Sequence, residues 1–335
     1  MWTQLPSIAE IKSEYKIRVV NIAYLAIPLF RVPDVKDSKA QLPPSQQGPV
    51  AAGILRACSA AKDLTSTLQI LNAVYYSSNG FDIPQAVDIA RLFTANDISD
   101  CKKMLAQLAE EGNAHAMTLH GRFLEQSGKT QEARDLYVKA LEKYDTKIHR
   151  GYPHPMALPW LTPWMALVNL QTANTTSESI SKVKEALEFG ALKADDPMAY
   201  YRLANLQEPK SHNWLAYMSK AAASGHSDAM YRLGQFYLDV HADPSGFLNH
   251  AKFRSALKFM TSWRQTGALN FAKEWFNAAA IGGHKPSILQ LVDLYGGDKE
   301  KQRVYLRAML EDPPKGVKEE WPHLVMQARK RLAEM

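Results

Sequence analysis

Residues Gly225-His226-Ser227-Asp228-Ala229 carry the spacing of a nucleophile elbow, G-x-S-x-G with alanine in the last place. An elbow holds its serine on a strained strand-to-helix turn, where a general base can reach the Oγ. The same letters also suit a turn between two helices, with Ser227 and Asp228 opening the second. One reading makes an acyl-transfer enzyme, the other a structural element. The stretch before the glycine, "MSKAAASG", has the pattern of a helix, and the chain contains no alternating strand series. Ser227 is therefore expected to be a helix cap. No phosphate-binding G-x-x-x-x-G-K-[ST] or G-x-G-x-x-G occurs either. The paired acids of "AEEG", "ADDP" and "KEE" fall at helix ends, where capping explains them.

Metal chemistry fares no better. His115 and His120 are five residues apart and diverge on a helix, and His149 and His154 flank "RGYP" in an expected loop. Cys58 and Cys101 form no CxxC pair; two isolated thiols suit a reducing compartment. The expectation is a protein without catalytic residues, metal or cofactor, and not an enzyme.

These residues need elements to hold them. The 335-residue chain is 46% hydrophobic and 22% charged, the balance of a folded globular protein. A net charge of +6, with a pI near 9.1, permits an acidic partner or nucleic acid without requiring one. The apolar run "IRVVNIAYLAIPLF" is shorter than a bilayer span and is broken by Pro28, so no membrane span is expected. Glu10, Lys12, Glu14 and Lys16 precede it, unlike a secretory signal. An intracellular protein follows, cytoplasmic or mitochondrial and not secreted. Residues 1–48, with Pro33, Pro43, Pro44 and Gly48, read as an N-terminal arm and linker before a single helical region, 49–335.

That region repeats itself. "EEGNAHAMTLHGRFL" aligns with "ASGHSDAMYRLGQFY": Gly112 meets Gly225, Gly121 meets Gly234, and Phe123 meets Phe236. "IGGHKPSILQLVDLY" adds Gly283, Leu291 and Tyr295 opposite Gly225, Leu233 and Tyr237, and "DDPMAYYRLANLQ" repeats Tyr-Arg-Leu and a small residue. Before the glycines, Trp275 matches Tyr217, and the small pairs Ala279-Ala280 and Ala221-Ala222 coincide. Apolar residues at helical spacing, small residues that let helices approach, and a glycine to end each pair describe antiparallel helix hairpins. Gly112, Gly121, Ala221, Ala222, Gly225, Gly234, Tyr237, Trp275, Ala279, Gly283 and Tyr295 are the expected repeat-packing set. Hairpins are expected near 50–79, 83–111, 113–144, 156–189, 197–224, 227–282 and 285–310, with a closing helix near 319–334. The step from Gly225 to Gly283 is nearly twice the preceding one, so an extra helix is expected around His250 to Gln265.

"KAAASGHSDAMYRLGQFY" and "AKEWFNAAAIGGHKPSILQLVDLY" resemble the Sel-like branch of the tetratricopeptide superfamily, the HCP-like repeats, over about Asp82 to Asp312. The stretch "LDVHADPSGFLNH" departs from that pattern. The resemblance implies an all-α, right-handed αα superhelix, a solenoid of helix pairs. It also implies a non-enzymatic scaffold or adaptor, an assembly factor among them, that holds a partner protein or peptide on a concave face. The polar first-helix positions Arg122, Arg202, Arg232, Gln235 and Gln290 are candidate contacts. So is the Pro/aromatic loop 146–164, through Arg150, Tyr152, Trp160 and Trp164, because arginine and aromatics dominate interface hot spots. Trp160 and Trp164 could equally pack beneath the next helix. The other class is RNA binding by a helical-repeat array, for which "QARKRL" supplies positive charge. Against it, the base-reading places Thr118, Tyr231 and Leu289 are irregular.

Overall fold

The computed structural model describes residues 19–30, 47–80, 83–146, 158–171, 177–243, 266–313 and 319–335. Helix accounts for 78% of them and no strand occurs among them. The chain divides into two compact units, 1–186 and 187–335.

The first unit holds α1 (Val19–Leu29), α2 (Gln47–Ala60), α3 (Leu64–Ser78), α4 (Pro84–Ala90), α5 (Ala95–Glu110), α6 (Ala114–Gln126), α7 (Thr130–Lys143) and α8 (Pro163–Gln171). Part of the expected N-terminal arm is thus a helix. α1 buries Ile22, Ala23, Ala26 and Ile27 and packs on α2 and α3. Its apolar stripe demands cover, and Pro28 falls too close to its end to break it. α3 is the hub, touching α1, α2, α4, α5 and α6. Thr65 through Ala73 are buried without interruption, so α3 hides every face. Its polar residues are paired, as when Thr67 Oγ1 meets Ser59 Oγ at 2.8 Å, which in turn lies 3.4 Å from Cys101 Sγ.

The unit boundary falls inside α9 (Ser177–Leu192). The second unit continues with α10 (Pro197–Asn205), α11 (His212–Ala223), α12 (Ser227–Ala242), α13 (Gly267–Ile281), α14 (Lys285–Leu294), α15 (Lys299–Met309) and α16 (Pro322–Ala333). From α10 onward each helix packs on the next, and α16 also covers α14. The expected extra helix around His250 to Gln265 lies outside the described residues.

One turn recurs. A residue with positive φ closes a helix and the next residue caps the following one: Gly112 (94°) and Asn113, Gly225 (96°) and His226, Gly283 (81°) and His284. Lys62-Asp63 does the same without glycine, and Asp195 and Lys210 also place a positive φ directly before the caps Asp196 and Ser211, Lys210 within the loop after α10. In the three glycine turns and at Asp63 the cap N–H returns to the carbonyl five residues earlier, as from His226 to Ala221 and from His284 to Ala279, both 3.1 Å. This Schellman bond satisfies a carbonyl that the helix end leaves open.

The glycines have two separate jobs, ending a helix and letting two helices approach. A Cβ on Gly112, Gly225 or Gly283 would meet nothing within 4 Å, so these three serve backbone conformation. A Cβ on Gly121 would stand 2.4 Å from Tyr137, and one on Gly234 would stand 2.5 Å from Phe276. Those two let α6 approach α7 and α12 approach α13. Ala221, Ala222, Ala279 and Tyr237 are buried. Trp275 is only half-buried; the fully buried aromatic is its neighbour Phe276. Tyr295 is half-buried at the end of α14 and stacks on Tyr305 at 5.8 Å.

Candidate partner-binding site

Arg122, an expected contact, is instead 4% exposed. Its guanidinium carbon lies 3.8 Å from the Tyr75 ring centre and 4.9 Å from that of Tyr76. Its Nη1 donates to Asn72 Oδ1 at 3.2 Å, while Asn72 Nδ2 donates to the Pro159 carbonyl at 2.9 Å. Arg122 is an internal brace between α3, α6 and the approach to α8. A guanidinium suits the place because its faces stack on aromatic rings as its edge donates.

The loop tryptophans are also interior. Trp164 is fully buried and Trp160 is 9% exposed. His115 meets Trp160 at 5.8 Å and Tyr144 at 5.5 Å, and Tyr144 meets Trp164 at 4.9 Å, all edge to face. Such a cluster gains more from packing than it could offer a partner. Arg150 and Tyr152 lie outside the described residues. Arg202 is half-buried on α10.

Two expected contacts do come together. Arg232 and Gln235, both exposed on α12, line a cleft of about 370 Å³ with Asn205, Tyr231 and Asp239. Arg232 Nη1 donates to Asn205 Oδ1 at 2.8 Å and its guanidinium lies 5.4 Å from the Tyr201 ring centre. Gln235 Nε2 donates to the Tyr231 hydroxyl at 2.8 Å. The Lys210–Asp239 pair, 2.9 Å, closes one side, and the buried Trp214 and Phe236 form the floor. Amide and guanidinium groups are thus pre-positioned over an apolar base. A peptide's carbonyls and N–H groups suit such a surface. Asn205 and Tyr231 join Arg232 and Gln235 in this cleft, and the repeated Tyr-Arg-Leu places Tyr201 beside Arg232.

The elbow reading of Ser227 requires a strand before it; α11 stands there instead. The cap is His226, one residue earlier than expected, whose Nδ1 accepts from the Ala229 N–H at 3.4 Å. His226 stacks on Tyr201 at 4.1 Å. One turn on, His284 repeats the arrangement. Its Nδ1 accepts from the Ser287 N–H at 3.3 Å and pairs with the Ser287 Oγ at 2.8 Å. The proton then belongs on Nε2, which donates to Asp228 Oδ1 at 3.2 Å. This Asp228–His284–Ser287 chain copies the connectivity of a hydrolase relay but is turned inside out. Ser287 is fully buried while Asp228 is exposed, so the hydroxyl faces the core and the chain serves as a cap. Burial holds the imidazoles of His226 and His284 below the ordinary histidine value, against the pull of Asp228.

Among the described residues no group of three or more His, Cys, Asp or Glu could hold a metal ion, and no helix is long and apolar enough to cross a membrane. Comparison with protein-family models gives no match for this sequence, and comparison with curated proteins gives none.

Proposed function

We propose that this chain is a helical-repeat scaffold of the Sel-like, tetratricopeptide kind. In this reading the hairpins of each unit stack as in a right-handed αα superhelix. The recurring turn supports it, as does the small residue at Gly121, Ala204 and Gly234. The function that follows is non-catalytic: the α10–α12 cleft receives a segment of a partner protein. One observation carries this, the exposed Arg232 and Gln235 held by Asn205 and Tyr231 above an apolar floor.

The test is a variant with Arg232→Ala and Gln235→Ala, checked for parental helicity and melting. Its co-purifying proteins from native extract are compared with those of the parent, with and without RNase. At least one protein should be lost from the variant and be indifferent to RNase. Identical partners in identical amounts would overturn the proposal. A set that disappears entirely with RNase would favour RNA binding instead.

A further inference from the structure

We propose that a second cleft in the 187–335 unit is a docking site for a basic, aliphatic segment of a partner protein. Such a segment would carry arginine or lysine beside leucine or isoleucine. The cleft measures about 780 Å³ and lies among the starts of α12 and α14, the ends of α13 and α15, and the approach to α16. Ile281, Ile288, Ala308, Pro313 and Trp321 make its apolar lining.

Ile281 motivates the inference most directly, because it is 87% exposed. Two residues before a turn glycine, the equivalent places hold Ala223 and Glu110, residues suited to water. A large aliphatic side chain left open at the edge of a cleft is the feature that interaction surfaces share. Trp321 adds a half-buried aromatic, set edge to face against His284 at 5.2 Å.

Charge selects the occupant. Asp228, Glu311, Asp312 and Glu320 are all exposed on the cleft's walls. The cation among the described lining residues, Lys285, is buried and already bonded to Glu319 and to the Glu311 carbonyl. Lys285 therefore cannot balance the other four carboxylates. Four exposed carboxylates thus stand on the described walls of an apolar hollow, in a chain whose net charge is +6. A recess with low-dielectric walls focuses such a field. Long basic side chains fit both parts, since their stems cover apolar surface while their heads reach carboxylates at the rim.

The test uses a fluorescein-labelled octapeptide of alternating arginine and leucine, with a glutamate–leucine octapeptide as its counterpart, read by fluorescence anisotropy. The arginine peptide should bind the full chain saturably. Glu311→Gln with Glu320→Gln should weaken it by about tenfold, the loss expected from two partly exposed ion pairs, and added salt should do likewise. Ile281→Ser should weaken it separately. Arg232→Ala should leave it unchanged, so this result is independent of the α10–α12 cleft. All the altered side chains are exposed, and parental circular dichroism and melting verify the fold. The proposal is overturned by no saturable binding, by equal affinity in the carboxylate and Ile281 variants, or by equal binding of the glutamate peptide.

Discussion

Gly234 sets the distance between α12 and α13. Its absent side chain leaves room for the Phe276 ring, which a Cβ would meet at 2.5 Å. Gly234→Ala should destabilise the second unit by about 1–3 kcal/mol, the usual cost of overpacking, measured by urea unfolding. Phe276→Leu in the same chain should recover part of that loss; no recovery would show that the contact is not the cause. At the aligned positions Ala204 and Met218 stand for Gly234 and Phe276, both buried, so the added methyl is accompanied by a thinner side chain. Arg122→Ala should cost about 2–3 kcal/mol in the first unit, because it empties a buried slot and leaves Asn72 Oδ1 unpaired. It should leave the set of co-purifying partners unchanged. The spacing of the small residues was legible in the sequence, but the interior place of Arg122 was not. Its cover comes from Tyr75, Tyr76 and Asn72, which no local pattern links to it. Trp160 and Trp164 were ambiguous for the same reason: His115 and Tyr144 decide their burial.

At the scale of elements, the turns were legible because glycine with a polar successor marks a helix end and a new start. The cap itself was misplaced by one residue, since serine and aspartate are the usual caps and histidine is not. That substitution has a consequence in acid. Burial keeps the imidazoles of His226 and His284 below the ordinary value of 6.5. The unfolded chain therefore takes up protons first as the pH falls through that value. Stability is present in full above it and declines below it. Glu319, held low chiefly by its hydrogen bond from Lys285, loses its contribution only in stronger acid, below the usual 4.5. Melting should thus begin to fall as the pH drops through about 6.5, before the carboxylates respond. His226→Asn with His284→Asn keeps a capping acceptor but removes the titration, and should flatten that decline. His120 shifts in the same direction, so the readout is the difference between parent and variant. An unchanged slope would show that the caps do not govern it.

For the whole molecule, the sequence pattern suggested one array from residue 49, whereas the contacts group into two units, with the boundary along the chain inside α9. The reason is α3. A helix buried on every face gathers five others around it, a hub that no repeat alignment could reveal, because its partners are not copies of one another. From α10 onward, by contrast, each described helix leans chiefly on its neighbours in sequence, the arrangement in which stability is a sum of local and nearest-neighbour terms. The two regions should therefore answer damage differently, and hydrogen exchange read peptide by peptide can resolve it. Gly234→Ala should speed exchange most in α12 and α13, less in α11 and α14, and leave α2 to α7 at parental rates. Leu71→Ala, which opens a cavity in fully buried α3, should instead speed α1, α2, α4, α5 and α6 together, at a cost of about 2–5 kcal/mol. A graded response in one unit and a collective one in the other would express that difference in packing. Uniform acceleration across both units from either substitution would mean that the chain unfolds as a single cooperative body, and the nearest-neighbour account of the second unit would fail.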